Sequence, residues 1–244
     1  MKVLLLGDVH ANLPALEAVL AHAARRRPEA IWNVGDFVGY GAFPDEVVKR
    51  LRDADAVSIV GNYDLKVLEL RKRQKKLRKK RAEKWLAFKW AYESLSKKSR
   101  KFLRSLPQEV RLEAEGWRVL ITHASPASNE EHLWPDTPAR RLRELAAVAD
   151  ADAVLCGHSH QAFARKVAGV WFINAGSVGR PDDGDPRASY AMLSITRRGI
   201  RTTHYRVAYD VARAVAAIRE AGLPEAFAEM LLQGRALDAI EGSG

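Results

Sequence analysis

The stretch KVLLLGDVHANLPALEAVL, residues 2–20, joins a short apolar run to a segment whose apolar residues recur at helical spacing. The run ends in Gly-Asp, and Asn12 with Pro14 is a typical start signal for a helix. The residues that share one apolar helix face are Leu13, Leu16, Val19 and Leu20. This order predicts a β-strand followed directly by an α-helix that packs on a sheet.

Two more apolar runs repeat the same order further along the chain. AIWNVGD (residues 30–36) and AVSIVGN (residues 56–62) both end in glycine followed by Asp or Asn, and a stretch with helical spacing follows each of them. Strands that alternate with helices are typical of a parallel sheet flanked by helices. The first third of the chain therefore indicates an α/β architecture.

The second half of the sequence is richer in strands. Its apolar runs are WRVLITH (117–123), AVLCGHSH (153–160), GVWFINAGS (169–177), SYAMLSI (189–195) and IRTTHYRV (200–207). Only one clear helix, 138–149, intervenes. Two sheets packed face to face with helices outside would accommodate both halves, and ligands of such folds bind at the C-terminal ends of strands.

Length and composition indicate one domain over residues 1–244, since 244 residues with 47% apolar content can bury a sizeable core. We expect two additions to it, a basic helical embellishment at about 65–104 and a C-terminal helical pair at about 210–232. The N-terminal apolar run is too short for a signal peptide or a membrane span, which predicts a soluble, cytoplasmic protein. Cys156 is the single cysteine, so no intramolecular disulfide is expected.

Positive charge is concentrated in one segment of the chain. The formal net charge is +10, and residues 65–104 hold 17 of the 40 Lys and Arg residues against 3 acidic ones. Within them, RKRQKKLRKKR (residues 71–81) has nine cations in eleven positions. One interpretation is a solvated charged run, and the other is a lid that draws polyanions such as nucleic acid toward the site.

Side chains that bind metals follow several of these predicted strands. They are Asp8, His10, Asp36, Asn62, His123, His158 and His160. Buried carboxylates and imidazoles are costly unless they are paired or metal-bound, and strand ends of one sheet converge at one rim. Each residue alone is equally consistent with a turn, a helix cap or a hydrogen-bonded core group, but the set as a whole indicates a metal site.

These blocks, in this order, resemble the calcineurin-like metallophosphoesterase superfamily. NAGSVGRPDDGDPRASYAML (174–193) and AAIREAGLPEAFAEMLLQGR (216–235) are similar to its small bacterial branch, the proteins described as diadenosine tetraphosphatases and YfcE-type phosphodiesterases. The resemblance implies a four-layer αββα sandwich of two mixed β-sheets with flanking helices. It also implies a dinuclear metal site at one sheet edge.

The resemblance assigns ligands by matching motif. Asp8, His10, Asp36 and His160 would hold one metal, and Asp36, Asn62, His123 and His158 would hold the other, with Asp36 bridging both. Carboxylate, amide and imidazole ligands suit two divalent transition-metal ions, Mn²⁺ first, with Fe, Zn²⁺ or Ni²⁺ as alternatives. Two such ions about 3.5–4 Å apart can clamp a phosphate while a bridging hydroxide attacks phosphorus.

The turn VGNYD, residues 60–64, departs from the family pattern. The superfamily normally has His at the position of Tyr63, where it protonates the leaving group or steadies the phosphate. A phenol with a pKa of about 10 is a weaker acid than an imidazole with a pKa of about 6.5, which predicts poor activity on alkyl esters. His132 and His204 are the spare proton donors, and Asp64 is expected to be the N-cap of a helix that begins at Leu65.

We therefore predict hydrolysis of phosphoester or phosphoanhydride bonds, by a phosphodiesterase or a nucleotide pyrophosphohydrolase. The predicted catalytic residues are Asp36, Asn62 and Tyr63, and Asn62, Tyr63 and Arg180 are expected to bind a phosphorylated small molecule or nucleotide. Asn174, Ser177 and Arg187 are further candidates for shaping the pocket. The alternatives are a serine/threonine-type protein phosphatase and a nucleic-acid- or phosphate-binding module with weak turnover.

Overall fold

Two five-stranded sheets form the centre of this computed structural model, which describes residues 1–70, 72 and 82–241. In chain order the strands are β1 (Lys2–Leu6), β2 (Ala30–Asn33), β3 (Val57–Ser58), β4 (Glu109–Ala114), β5 (Trp117–Thr122), β6 (Ala153–Cys156), β7 (Phe163–Val167), β8 (Val170–Asn174), β9 (Ala188–Thr196) and β10 (Gly199–Val207). The helices of the described residues are α1 (Leu13–Ala24), α2 (Pro44–Arg52), α3 (Asn62–Leu68), α4 (Ala82–Ser94), α5 (Lys97–Ser105), α6 (Ala139–Ala149), α7 (Val211–Glu220), α8 (Glu225–Gln233) and α9 (Leu237–Glu241).

Both sheets mix parallel and antiparallel pairs. The first has the order β10-β9-β1-β2-β3, with β1, β2 and β3 parallel and the β1–β9 and β9–β10 pairs antiparallel. The second has the order β4-β5-β6-β8-β7, with β5, β6 and β8 parallel and the two edge pairs antiparallel. The C-terminal ends of the central strands in each sheet therefore share one edge.

The alternation of side chains along β1 shows how the layers form. Val3 and Leu5 face the second sheet and pack in a core with Ile121 and Leu155, whereas Leu4 lies in the core beneath the helices of the first sheet. Successive residues of a strand point to opposite faces, so an uninterrupted apolar run marks a strand that is buried on both sides.

Helices cover the outer face of each sheet. Leu16 of α1 packs in the core on the first sheet, and Leu142 and Leu145 of α6 pack on the second. The order helix, sheet, sheet, helix confirms the predicted αββα sandwich. A further apolar cluster joins α7 and α8 to Tyr40, whose ring meets Phe227 edge-on at 5.1 Å.

Two strands of the second sheet, β4 and β7, are absent from the sequence-based prediction. EVRLEA carries charges at alternate positions, FARKV carries two consecutive charges, and each strand lies at an edge of the sheet. Edge strands expose one backbone side and tolerate charged residues, which hides the apolar periodicity that identifies central strands. The extended backbone there follows from pairing with β5 and β8.

The predicted basic segment 71–81 lies outside the described residues except for Lys72. On either side of it, α3 ends at Leu68 and α4 begins at Ala82. The single-domain boundary and the role of the basic segment stay predictions. Within the described residues, no helix is long and apolar enough to cross a lipid bilayer.

Candidate metal centre

All seven predicted metal-binding residues lie beyond the C-terminal ends of parallel strands. Asp8 and His10 follow β1, Asp36 follows β2, Asn62 opens α3 after β3, His123 follows β5, and His158 and His160 follow β6. The parallel pairing of β1 with β2 and of β5 with β6 places these ends at one rim between the two sheets. The sequence pattern and the topology therefore agree on where the side chains meet.

Five of these residues have a backbone conformation that is uncommon for side chains other than glycine. Asp8, His10, Asp36, His158 and His160 have φ values of 50°, 48°, 56°, 67° and 58°. Left-handed backbone of this kind costs free energy at each residue and concentrates where function requires it. The left-handed backbone at these five residues directs their side chains toward a common point.

The first group of ligand atoms consists of Asp8, His10 and His160. Asp8 Oδ1 lies 3.4 Å from His160 Nε2 and 4.0 Å from His10 Nε2, and the two imidazole nitrogens are 3.2 Å apart. Asp8 is fully buried, and its Oδ1 has no hydrogen-bond partner in the described structure. A cation among these three atoms would satisfy an oxygen that is otherwise buried at a cost.

The second group is formed by Asp36, Asn62 and His123. His123 Nε2 lies 3.5 Å from Asp36 Oδ2 and 3.3 Å from Asn62 Oδ1. Asp36 Oδ2 is also 3.8 Å from His10 Nε2, so this carboxylate reaches both groups. The ligand atoms of Asp8, Asp36 and His123 lie within 4.8 Å of one another, which is compact enough to surround a metal ion.

Backbone carbonyls orient two of the histidines. His10 Nδ1 lies 3.3 Å from the carbonyl oxygen of Val38, and His123 Nδ1 lies 2.8 Å from that of Val34. Since a carbonyl oxygen can only accept, both Nδ1 atoms donate, and Nε2 faces the centre of the site. A neutral imidazole fixed in this tautomer presents its Nε2 lone pair as a metal ligand.

Asp182 lies behind His160 as an ion-pair partner, without the hydrogen bond that orients the other two rings. Its Oδ2 lies 3.4 Å from His160 Nδ1, which turns His160 Nε2 toward Asp8. Carboxylate partners behind metal-bound histidines fix the ring and raise its basicity. Asp182 stands in the turn PDDGDP, which resembles an ordinary surface loop in the sequence, and no local signal distinguishes it.

Charge and burial shift the pKa values of the site in opposite directions. Burial lowers the pKa of His10 to about 3. Burial acts in the same direction on His123, but the adjacent Asp36 carboxylate outweighs it and raises the pKa of His123 to about 9. Burial disfavours the charged forms of Asp8 and Asp36, yet His160 and His123, respectively, hold these carboxyl pKa values below their usual range. Asp36 and His123 would hold a metal ion together only after His123 had released the proton that their attraction retains.

His158 reaches the rim differently from the other six residues. Its backbone N–H donates to Asp8 Oδ2 at 3.0 Å, while its Nε2 lies 3.2 Å from the carbonyl oxygen of Glu130. Its ring packs 5.0 Å from that of His123. The structure therefore brings His158 to the site through its backbone and its ring, and its assignment as a ligand stays a prediction.

Two glycines of the motifs allow the close approach of these groups. A Cβ atom on Gly61 would overlap Asp36 Oδ1, and one on Gly157 would overlap Asp8 Oδ2. Glycine is required where backbone and carboxylate approach this closely. The Gly-Asn and Gly-His dipeptides of the sequence are therefore packing requirements of the site.

Asp64 has a more central position than the sequence indicates. The predicted helix start at Leu65 is wrong, because α3 begins at Asn62 with Gly61 as its N-cap. The Asp64 carboxylate accepts the backbone N–H groups of Gly61 at 2.9 Å, Asp36 at 3.0 Å and Val38 at 3.1 Å. It thereby ties the loop that carries Asp36 to the start of α3.

Tyr63 lies between Asp36 and a second tyrosine. Its backbone N–H donates to Asp36 Oδ1 at 2.8 Å, and its hydroxyl is 2.6 Å from that of Tyr40. Its ring meets His10 edge-on at 5.2 Å. Burial raises the pKa of Tyr63 well above its ordinary value, so the side chain is a neutral phenol at physiological pH.

A cleft of about 340 Å³ opens over the two groups of ligand atoms. Asp36, Asn62, Tyr63, His158, His160 and Arg180 all line it. The Arg180 guanidinium lies 4.7 Å from the centre of the Tyr40 ring and 3.6 Å from Asp182 Oδ2, and its Nε is buried without a hydrogen-bond partner. A guanidinium that lines the cleft beside the buried Asp and His cluster is suited to a phosphate oxygen.

Glu130 orients Asn62 from the opposite wall. Its Oε2 accepts from Asn62 Nδ2 at 3.2 Å, which leaves Asn62 Oδ1 turned toward His123. Lys66 Nζ lies 3.0 Å from the other carboxylate oxygen and, against the effect of burial, holds the pKa of Glu130 below its usual range. Glu130 was absent from the sequence-based prediction because its loop shows no strand or helix periodicity.

The remaining candidates separate into residues at the cleft and residues elsewhere. His132 lines the cleft, whereas His204 Nε2 lies 2.9 Å from the carbonyl oxygen of Asn174 and does not line it. Ser177 Oγ donates to the Asp8 carbonyl at 2.7 Å and so supports the ligand loop from behind. Arg187 is exposed and pairs with Asp185.

The calcineurin-like phosphoesterase superfamily domain matches residues 1–198, which is most of the chain. The chain belongs to this superfamily. Its buried Asp and His clusters are typical of the dinuclear metallophosphoesterases, and membership makes it a metal-dependent phosphoesterase-family hydrolase. The family match confirms the resemblance read from the sequence motifs.

Individual relatives of this superfamily member match between 79% and 96% of its length. It is 33% identical to an uncharacterized protein of Methanocaldococcus jannaschii, over 96% of this chain and 98% of that one. It is 27% identical to phosphodiesterase YfcE of Escherichia coli, over 79% of this chain and 87% of YfcE. The crystal structure of a metallophosphoesterase from Sphaerobacter thermophilus superposes with a TM-score of 0.78 over 96% of this chain and all of that one. The two sequences are 33% identical.

Proposed function

We propose that this protein hydrolyses phosphodiester or phosphoanhydride bonds with two divalent metal ions. Asp8, His10, Asp36 and His160 would hold one ion, and Asp36, Asn62, His123 and His158 the other. The observation that carries the proposal is the Asp36 carboxylate, whose Oδ2 lies 3.8 Å from His10 Nε2 and 3.5 Å from His123 Nε2. One carboxylate between two groups of imidazole nitrogens is the arrangement that a bridging ligand requires.

The donor set favours Mn²⁺ among the candidate metals. It consists of carboxylate, amide and imidazole groups, and the sole thiol lies elsewhere, because Cys156 is buried with its Sγ directed to the carbonyl of Ile173. Two divalent ions in such a site polarise phosphoryl oxygens and make water nucleophilic near neutral pH.

The chain's own side chains would position the substrate and the leaving group. Arg180 lines the cleft, and its guanidinium would bind a non-bridging phosphate oxygen. Asn62 is held by Glu130 with its carbonyl oxygen toward His123. Tyr63 and Tyr40 share a hydrogen bond of 2.6 Å, and either hydroxyl can donate to a departing oxygen.

The neutral phenol of Tyr63 favours substrates whose leaving groups need little protonation. A nucleotide released from a phosphoanhydride and a phenol released from an aryl ester depart with low pKa values, whereas an alkyl alkoxide requires a proton in the transition state. We therefore propose a phosphodiesterase or nucleotide pyrophosphohydrolase acting on a phosphorylated small molecule or nucleotide. This preference is supported by the burial that raises the Tyr63 pKa.

Metal removal tests the proposed function. The protein as purified, supplemented with Mn²⁺, is expected to hydrolyse bis(p-nitrophenyl) phosphate, to lose this activity in excess chelator and to regain it when Mn²⁺ is restored. Release of p-nitrophenol measures the rate. Lack of turnover with Mn²⁺, Fe, Zn²⁺ and Ni²⁺ alike would contradict the proposed enzymatic activity and favour a phosphate-binding module. A panel of phosphopeptide substrates would test the alternative that the protein is a protein phosphatase.

Exchange of Tyr63 for histidine tests the leaving-group preference. Tyr63→His is expected to raise kcat on alkyl esters by about 10-fold or more and to leave aryl esters nearly unchanged, because general acid catalysis contributes about 10²–10⁴-fold where it is needed. The measurement is the slope of log kcat against leaving-group pKa. Tyr63→Phe is the matched control, since it removes only the hydroxyl that bonds Tyr40. An identical slope in wild type and Tyr63→His contradicts the assignment.

A further inference from the structure

Trp134 is exposed at the mouth of the same cleft that holds the metal-ligand residues. It is 37% exposed, and it is the only exposed Trp or Phe among the described residues. Trp134 lines the cleft together with His158 and His160, and an aromatic side chain in such a position is available to contact a ligand bound there. Nothing in its sequence context, HLWPDTP, marks it as functional.

The rings of Trp134 and His132 stack on each other. Their ring centroids are 5.1 Å apart and their planes differ by only 6°. His132 in turn lies 4.1 Å from the ring of His158, which is one of the predicted ligands. A continuous row of rings therefore leads from the rim of the metal site to the outer wall of the cleft.

The loop that carries these rings is held rigidly. Leu133, between them, is fully buried in the core beneath α6, and its carbonyl oxygen accepts from Ser159 Oγ at 2.6 Å. The backbone N–H of Trp134 donates to Thr137 Oγ1 at 2.6 Å, and Arg165 donates to the carbonyl of Pro135 at 3.0 Å. A surface fixed before binding loses little conformational entropy when a ligand stacks on it.

We propose that Trp134 and His132 form a stacking site for the base of a nucleotide whose phosphate lies at the metal-ligand cluster. This proposal rests on the proposed function and specifies its substrate class, a nucleoside 5′-phosphate joined through a phosphodiester or phosphoanhydride bond. Every nucleobase has a flat π-face, and stacking on aromatic side chains is tolerant of base identity. The Arg180 donor and the ring pair would thus hold the two ends of one nucleotide.

Two ligands that differ only by the base test this assignment. Adenosine 5′-monophosphate and ribose 5-phosphate are titrated calorimetrically into the Mn²⁺-loaded full chain. Wild type is expected to bind adenosine 5′-monophosphate about 10-fold more tightly than ribose 5-phosphate, a difference typical of one stacked base. Trp134→Ala should bring this ratio close to one, and Trp134→Phe, which keeps an aromatic ring, should retain most of it.

Leu232→Ala is the matched control, because Leu232 is exposed, apolar and absent from the cleft lining. It should leave the ratio unchanged. Three outcomes would overturn the stacking site. Wild type could bind both ligands with similar affinity, or Trp134→Ala could keep the wild-type affinity ratio. Trp134→Ala could also lose affinity for both ligands equally. Turnover of bis(p-nitrophenyl) phosphate by the same wild-type preparation tests the proposed function independently of the stacking site.

Discussion

Asp36→Asn is expected to lower kcat for bis(p-nitrophenyl) phosphate with Mn²⁺ by about 10²–10³-fold, the loss typical of removing one electrostatic contributor in an active site. Asp36 Oδ1 accepts from the Tyr63 N–H, while Oδ2 faces His10 and His123. An amide in this position lacks the charge that a bridging ligand supplies, and its NH₂ group would face either a backbone donor or the metals. The same variant should bind fewer than two equivalents of Mn²⁺ per chain, as measured on the desalted protein.

Asp53→Asn is the matched control for this substitution. Asp53 lies just after α2, pairs with Arg52 and is largely exposed. It should retain wild-type kcat and metal content. Full metal content together with unchanged kcat in Asp36→Asn would contradict the bridging role, whereas lost turnover with full metal content would place the role of Asp36 in catalysis alone.

Local sequence patterns are enough to predict where the central strands of this fold end. The apolar runs before Asp8, Asp36 and His123 correspond to central strands buried on both faces, so their hydrophobicity is continuous and visible in the sequence. Parallel pairing then places their ends at one rim without further information. The convergence of these strand ends therefore follows from the sequence pattern, whereas the four-layer order and the predicted ligand assignment come from the family resemblance, and the charged edge strands β4 and β7 are not predicted.

Contacts between distant loops are not visible in local patterns. Asp182 is 22 residues from His160 in the chain yet lies 3.4 Å from its Nδ1, and Glu130 reaches Asn62 across 68 positions. Tyr40 meets Tyr63 because the loop after β2 folds against the first turn of α3. Such pairs depend on the path of loops, which follows no period of 2 or 3.6 residues.

Asp64→Ala is expected to reduce the free energy of unfolding by about 3–5 kcal/mol, because it leaves buried backbone donors without an acceptor. The carboxylate is fully buried and accepts from Gly61, Asp36 and Val38. Burial, together with the nearby Asp36 charge, raises the pKa of Asp64 to about 7. Removing Asp64 also relieves that repulsion, so the loss is smaller than the sum of three unsatisfied groups. Urea unfolding of the chelated protein measures it without a contribution from metal binding.

Two variants separate this anchoring role from ordinary helix capping. Asp210→Ala removes an exposed N-cap carboxylate that accepts one backbone N–H, from Arg213 at 2.8 Å, and should cost only about 1 kcal/mol. Asp64→Asn keeps the shape but turns an NH₂ group toward a backbone donor, so its cost should lie between those of Asp210→Ala and Asp64→Ala. If Asp64→Ala costs no more than Asp210→Ala, Asp64 is a simple cap. A larger cost, accompanied by loss of turnover, means that the Asp64 carboxylate holds the loop bearing Asp36 in place through its three backbone hydrogen bonds.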